Sequence, residues 1–354
     1  MTDRRFLKLK GAFVNPHADG LPAGLDPKQA HVVAQWQTER PVVCCRFDPQ
    51  GRYVFCGLEG SSLQRFNLGD GKPLAYAGAH ESWVFSIAFS PDGGSVWSGG
   101  GDGRIVVWET AAATPKPMRT IEAHQGWVRA LGVSRDGAIL ASGGNDRLVK
   151  LWDAKTGAAL RQMAGHSGHI YSMEFHPNGK TLLTGDLMGA VNEWDLASGK
   201  LLGTFDAKEL HSYDGGQQVD FGGVRGLAIT PDGKFLAAGG LYKATNPLGA
   251  VHEPIALLFD GGTRKNLKTL LADGITGGVL WRLRYLADGT LTGACGGSNG
   301  GLLLFWKADA PKDFHRLALP NILRDMDLHP DGLRIATAHH DRHVRITRLD
   351  AKKA

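Results

Sequence analysis

Hydrophobic and polar residues alternate along this chain in short runs broken by glycine-bearing turns, and residues 124–152, HQGWVRALGVSRDGAILASGGNDRLVKLW, show the pattern most completely. Three β-rich runs, 127–133, 138–142 and 148–152, are separated by Arg135-Asp136-Gly137 and by Gly143-Gly144-Asn145-Asp146. A fourth run, 158–163, follows Lys155-Thr156-Gly157, a further hairpin turn. Each run is too short for a stable helix, so the unit reads as a four-stranded antiparallel meander. Such a sheet cannot cover both of its faces alone, which predicts stacked copies of itself.

The copies are present. The first-hairpin glycine recurs as Gly51, Gly93, Gly137, Gly179, Gly233, Gly289 and Gly332, at intervals of 42, 44, 42, 54, 56 and 43 residues. Four intervals fall in a narrow band and two are longer by about a dozen residues, the size of a loop insertion in a blade repeat of roughly 40–45. The insertions are assigned to 207–223, between the fourth and fifth repeats, and 241–254, within the fifth.

The Gly165-His166 dipeptide and the pairs Trp152-Asp153 and Trp194-Asp195, in register with that spacing, resemble the WD40-repeat family of β-propellers. The resemblance runs from about residue 31 to about 350. It implies an all-β, seven-bladed β-propeller with four-stranded antiparallel blades. Residues 31–37 would complete the last blade, since the final repeat has three strands before the chain stops. The organisation expected is an extended lead at 1–30, rich in glycine and proline, a single propeller at 31–350 and a short basic tail at 351–354.

The second and third repeats carry His80, Ser98, Asp102, Trp108 and His124, Ser142, Asp146, Trp152. A Ser/His/Asp set suggests a hydrolase, but a nucleophile needs one preorganised site and this set recurs once per blade. The family resemblance makes it a buried hydrogen-bond network bracing each blade. The fourth repeat keeps His166, Thr184 and Trp194, with Met188 where the turn Asp is expected. The first repeat offers Gly60 and Phe66 at the Asp and Trp positions, and the seventh keeps Thr337 and Asp341 with Thr347 for Trp. The blades with incomplete sets are expected to hold by packing alone.

Function is expected on the face that carries both insertions. They contain His211, Tyr213, Asp214, Gln217, Gln218, Asp220, Tyr242, Lys243, Asn246, His252 and Glu253, a polar and aromatic mixture suited either to recognition or to loop padding. Counting back a fixed distance from each hairpin glycine gives Val43, Phe85, Arg129, Tyr171, Arg225, Trp281 and Arg324. In the family this position lies at the mouth of the central channel. Three arginines and three aromatic rings there would suit an acidic or phosphorylated, partly aromatic segment of a protein or peptide partner.

Composition narrows the classes. Forty Lys and Arg against 35 Asp and Glu give +5, without runs, so neither nucleic acid nor a membrane is called for. Cys44, Cys45, Cys56 and Cys295 show no metal or redox spacing, which favours a reduced, cytoplasmic chain and leaves a Cys45–Cys56 pairing open. The amino terminus lacks a secretory core. No phosphate-binding loop, HExxH or GxSxG motif occurs, and the run 339–343, HHDRH, is weak as a metal cluster. The expected role is therefore a non-catalytic docking scaffold without cofactor or metal. The rivals are a hydrolase-, lyase- or lactonase-like propeller enzyme with its site at the channel, and a structural subunit of a larger assembly.

Overall fold

Seven four-stranded antiparallel sheets follow one another around a ring in the computed structural model, which describes residues 20–244, 252–298 and 300–352. Blades one to six span 42–76, 84–122, 128–164, 170–206, 226–271 and 278–319, each with its strands in chain order from the channel outward. Blade seven is built differently. Its three strands, Leu323–Leu328, Arg334–His339 and His343–Arg348, are completed on the outside by His31–Gln37, which pairs antiparallel with His343–Arg348. Residues 1–19 of the lead expected at 1–30, Asn246 and the last two residues of the basic tail lie outside the described residues. Among the described residues no helix is long and apolar enough to cross a membrane.

The repeat glycines have a local cause. All seven hairpin glycines take positive φ, from 67° at Gly51 to 80° at Gly289, a conformation that side chains disfavour. At Gly233 there is also no room, because a Cβ would stand 2.5 Å from the His176 ring of the blade before.

Closure is visible in the core. Seven buried apolar clusters fill seven seams, one between each pair of neighbouring blades. The seam that joins the ends of the chain packs Val42, Cys45 and Val54 against Ala336, Val344 and Ile346. Polar contacts reinforce it: the Cys45 amide donates to Asp325 at 3.1 Å, and the Phe47 amide donates to Asp327 at 3.0 Å. All four cysteines are buried free thiols, including Cys45 and Cys56, which face each other across the first hairpin.

The brace is a continuous proton-ordered chain. Trp108 Nε1 donates to Ser98 Oγ at 2.9 Å, Ser98 Oγ meets His80 Nε2 at 2.8 Å, and His80 Nδ1 meets Asp102 at 3.1 Å. Tryptophan can only donate and an ionised carboxylate can only accept, so one neutral histidine tautomer satisfies every group. Blade three repeats the geometry, with Trp152 to Ser142 at 2.9 Å, Ser142 to His124 at 2.7 Å and His124 to Asp146 at 2.8 Å.

Two expectations need correction. Blade four does not lack its carboxylate: His166 Nδ1 bonds Asp186 at 2.9 Å, while Trp194 and His166 both meet Thr184 Oγ1 at 2.7 Å. Asp186 ends the strand two residues after Thr184, so the carboxylate comes from the strand and not from the turn position at Met188. Blades six and seven are not held by packing alone. In blade six Trp306 Nε1 donates to the Leu271 carbonyl at 2.8 Å. Blade seven is rewired, with Asp341 taken by Arg345 at 2.6 Å and His339 bonded to Thr337 at 2.9 Å.

Candidate functional site

Six of the seven inner strands begin with a register shift, and that irregularity builds most of the site. The shifts fall between Val42 and Cys44, Val84 and Ser86, Val128 and Ala130, Ile170 and Ser172, Leu280 and Arg282, and Leu323 and Asp325. The skipped residues are Val43, Phe85, Arg129, Tyr171, Trp281 and Arg324. A bulge frees one residue from cross-strand pairing and re-aims its side chain. Arg225 reaches the same level one residue before the short strand Gly226–Ile229, with its amide bonded to the Gly239 carbonyl. All seven side chains line one cavity of about 500 Å³ at the channel mouth, together with Trp83, Ile322 and His252.

Five of them, with two tryptophans, form an unbroken stack. Trp83 lies 6.0 Å from Phe85 between ring centroids, and Phe85 stacks on Trp127 at 4.6 Å. The Arg129 guanidinium then sits 4.4 Å from Trp127 and 4.6 Å from Tyr171. Arg225 follows, 3.9 Å from Tyr171 and 5.3 Å from Trp281. Such contacts hold a cation without neutralising it.

The three arginines differ. Arg324 is ion-paired with Glu59, so among the described residues the mouth offers two guanidinium groups without a carboxylate where three were expected. Among the described residues Arg129 and Arg225 have no carboxylate partner. Arg129 Nε donates to the Asn145 amide oxygen, and Arg225 Nε is buried without a hydrogen bond. Burial pushes Arg129 down to about 10, opposed by Tyr171 and reinforced by the like charge of Arg225. Burial lowers Arg225 as well, with Tyr171 again opposing.

Below the mouth the throat is polar but internally matched. Arg46 pairs with Asp325 at 2.6 Å, Arg282 approaches the same carboxylate at 3.7 Å, and Arg284 spans Glu174 at 3.5 Å and Asp327 at 3.4 Å. None of these was singled out from the sequence. They lie three residues after the mouth position, as Arg46, Glu174, Arg284 and Asp327, or one after it, as Arg282 and Asp325, so the same counting would have found them. Trp83 and Trp127 likewise recur two residues before it.

Of the two blade-five insertions, only the second lines this opening among the described residues, through His252. The first contains a hairpin, His211–Asp214 against Val219–Gly222, and leads through Gly223 into Arg225. The second re-enters the described residues at His252, whose Nδ1 meets the Gly278 carbonyl at 2.9 Å. Tyr213, on the hairpin, is 60% exposed and does not line the cavity. Tyr242 does not line it either; its ring packs on the blade-five core with the Lys243 ammonium 5.1 Å away.

The Ser/His/Asp sets offer no reaction site, since Ser98, Ser142 and Thr184 have no exposed surface. In blade two burial raises the Asp102 carboxyl, but the bonds from His80 and the Glu81 amide outweigh it and hold the group at about 2. Among the described residues no group of three or more His, Cys, Asp and Glu side chains is placed to hold a metal ion.

Comparison with known proteins agrees with this geometry. The WD domain, G-beta repeat model matches residues 71–109, 115–153 and 157–195, which end in the three blades with complete braces. Protein groucho of Drosophila melanogaster is 28% identical over 160 residues, 45% of this chain and 20% of that protein. WD repeat-containing protein SL1-17 of Schistosoma mansoni is 23% identical over 194 residues, 53% of each chain. Human Telomerase Cajal body protein 1 is 33% identical over 69 residues, 19% of this chain and 13% of that protein. These alignments thus span about half of the relatives' length or less.

Proposed function

Because this chain is a WD40-repeat β-propeller, we propose that it is a non-catalytic docking scaffold whose channel mouth binds an acidic or phosphorylated segment of a protein partner. The observation that carries this reading is the pair Arg129 and Arg225, two half-buried guanidinium groups held by aromatic faces and left without a carboxylate partner among the described residues. Keeping such groups out of water is costly unless a ligand anion meets them. The propeller presents them on strand bulges in a rigid ring, so binding demands little ordering of the receptor. Tyr213 and the blade-five hairpin would contact the partner outside the cavity.

A catalytic reading finds less support, since the throat carboxylates are engaged by Arg46, Arg282 and Arg284. The docking reading is tested by comparing the prey captured by the native protein, by an Arg129→Glu/Arg225→Glu variant and by an Arg324→Gln control. Prey should be lost with the double variant and kept with the control. Equal capture by all three removes the mouth from the binding surface.

A further inference from the structure

We infer that the anion taken at this mouth is the phosphate of a phosphotyrosine side chain, an inference that rests on the docking reading above. Charge gives the first constraint. Among the described residues, mouth and throat together carry six arginines, Arg46, Arg129, Arg225, Arg282, Arg284 and Arg324, against four carboxylates, Glu59, Glu174, Asp325 and Asp327. The formal excess of two belongs to Arg129 and Arg225, which stack on the same ring, Tyr171. One dianionic group cancels it, and a phosphate monoester has three acceptor oxygens with which to meet two guanidinium forks, where a carboxylate has two.

Shape gives the second constraint. A cavity of about 500 Å³ is far larger than a phosphoserine side chain needs, and its charged groups are flanked by flat apolar walls. Trp83 and Phe85 line it near one end of the stack and Trp281 at the other, while Trp83 and Trp127 remain 42% and 38% exposed. Those walls match a phenyl ring that carries its phosphate down to Arg129 and Arg225. The same chemistry, a phosphate beside an aromatic ring, exists in a free nucleoside monophosphate. The exposed faces of Trp83 and Trp127, and Tyr213 on the hairpin that precedes Arg225, favour the peptide-borne form, because they supply further contact surface for a chain.

The test uses the full-length protein and labelled alanine-flanked peptides that differ only in a central phosphotyrosine, phosphoserine, aspartate or tyrosine, with binding read by fluorescence anisotropy. The phosphotyrosine peptide should bind at least about tenfold tighter than the other three and be displaced by free phosphotyrosine. Its affinity should fall as pH drops through about 6, where the phosphate loses its second charge. Arg129→Gln/Arg225→Gln should abolish binding while leaving thermal unfolding cooperative, and displacement by inorganic phosphate gives a check that needs no variant. If phosphoserine or aspartate peptides bind as well, the phosphotyrosine inference is overturned while the docking reading stands. Tighter binding of adenosine monophosphate than of any peptide overturns it in favour of a small-molecule site. If no peptide binds yet the Arg129→Glu/Arg225→Glu variant loses its prey, only this inference falls; if the prey is also unchanged, both fall.

Discussion

At the scale of single residues, the fourth blade shows how one side chain can do a familiar job from an unfamiliar position. Asp186 has no exposed side-chain surface and accepts from His166, from the Ala190 amide and, at 3.4 Å, from the Gly168 amide. Burial raises its carboxyl, but these donors pull it below the ordinary carboxylate range. Asp186→Ala should therefore cost about 2–4 kcal/mol, because it leaves a buried imidazole unpaired, while Met188→Ala should cost well under half of that. Urea unfolding at neutral pH measures both. A depressed folded pKa means that the stabilisation is present above the unfolded carboxylate's value near 4 and is lost as pH falls through the lower folded value. The gap between Asp186→Ala and the native protein should accordingly close below about pH 4. The sequence shows His166, Thr184 and Trp194 plainly, yet it hides Asp186, because spacing along a strand gives no sign of which of two nearby positions reaches the imidazole. It hides the Arg324–Glu59 pair for a related reason. Glu59 lies in a turn of the first blade, 265 residues away, and only ring closure brings it to the mouth.

At the scale of elements, the outer strands reveal a tie between blades that the hydrophobic pattern does not announce. The third residue of an outer strand reaches the hairpin of the next blade: Arg119 donates to the Lys155 carbonyl at 3.0 Å, Arg161 to Ala197 at 2.6 Å and Lys268 to Ala308 at 3.0 Å. In blade four this position is Gly203, and the tie runs backward. Arg264 of blade five lies across the bare backbone, its guanidinium carbon 2.6 Å from where a Cβ would stand, and pairs with Glu193 at 2.6 Å. Gly203→Val should thus destabilise by about 1–2 kcal/mol although valine favours strands, since it evicts Arg264 and leaves Glu193 unpaired. In an Arg264→Ala background the same substitution should become neutral or stabilising. A double-mutant cycle in urea reads the difference, and equal costs in both backgrounds would show that the glycine is not there for the arginine. Blade count, strand order and the closing strand His31–Gln37 were legible because hairpin glycines and alternating runs are local signals. The ties join residues about 40 positions apart and leave no local trace.

At the scale of the whole molecule, closure and binding make opposing demands on the same few residues. The ring is sealed by seven apolar seams and by throat carboxylates that meet both arginines and backbone amides. The mouth, by contrast, keeps Arg129 and Arg225 half-buried, each bridging two aromatic rings and without a carboxylate among the described residues. Packing cannot explain that choice, because a buried unpaired charge lowers stability and an apolar side chain of similar length would fit the aromatic stack. If the two arginines are retained for a ligand, removing them should strengthen the empty protein. Arg129→Met/Arg225→Met should raise stability by about 1–2 kcal/mol, seen as a higher thermal midpoint, and should abolish the gain in midpoint that an anionic ligand gives the native protein. Added salt should narrow the difference between the two apo proteins, since it screens the repulsion that only the native mouth contains. A double variant less stable than the native protein would instead make the guanidinium groups part of the ring's own scaffolding, held by cation–π contacts whose worth exceeds the cost of burial. The sign of that one shift therefore separates a mouth built for a partner from a mouth built to hold the blades together.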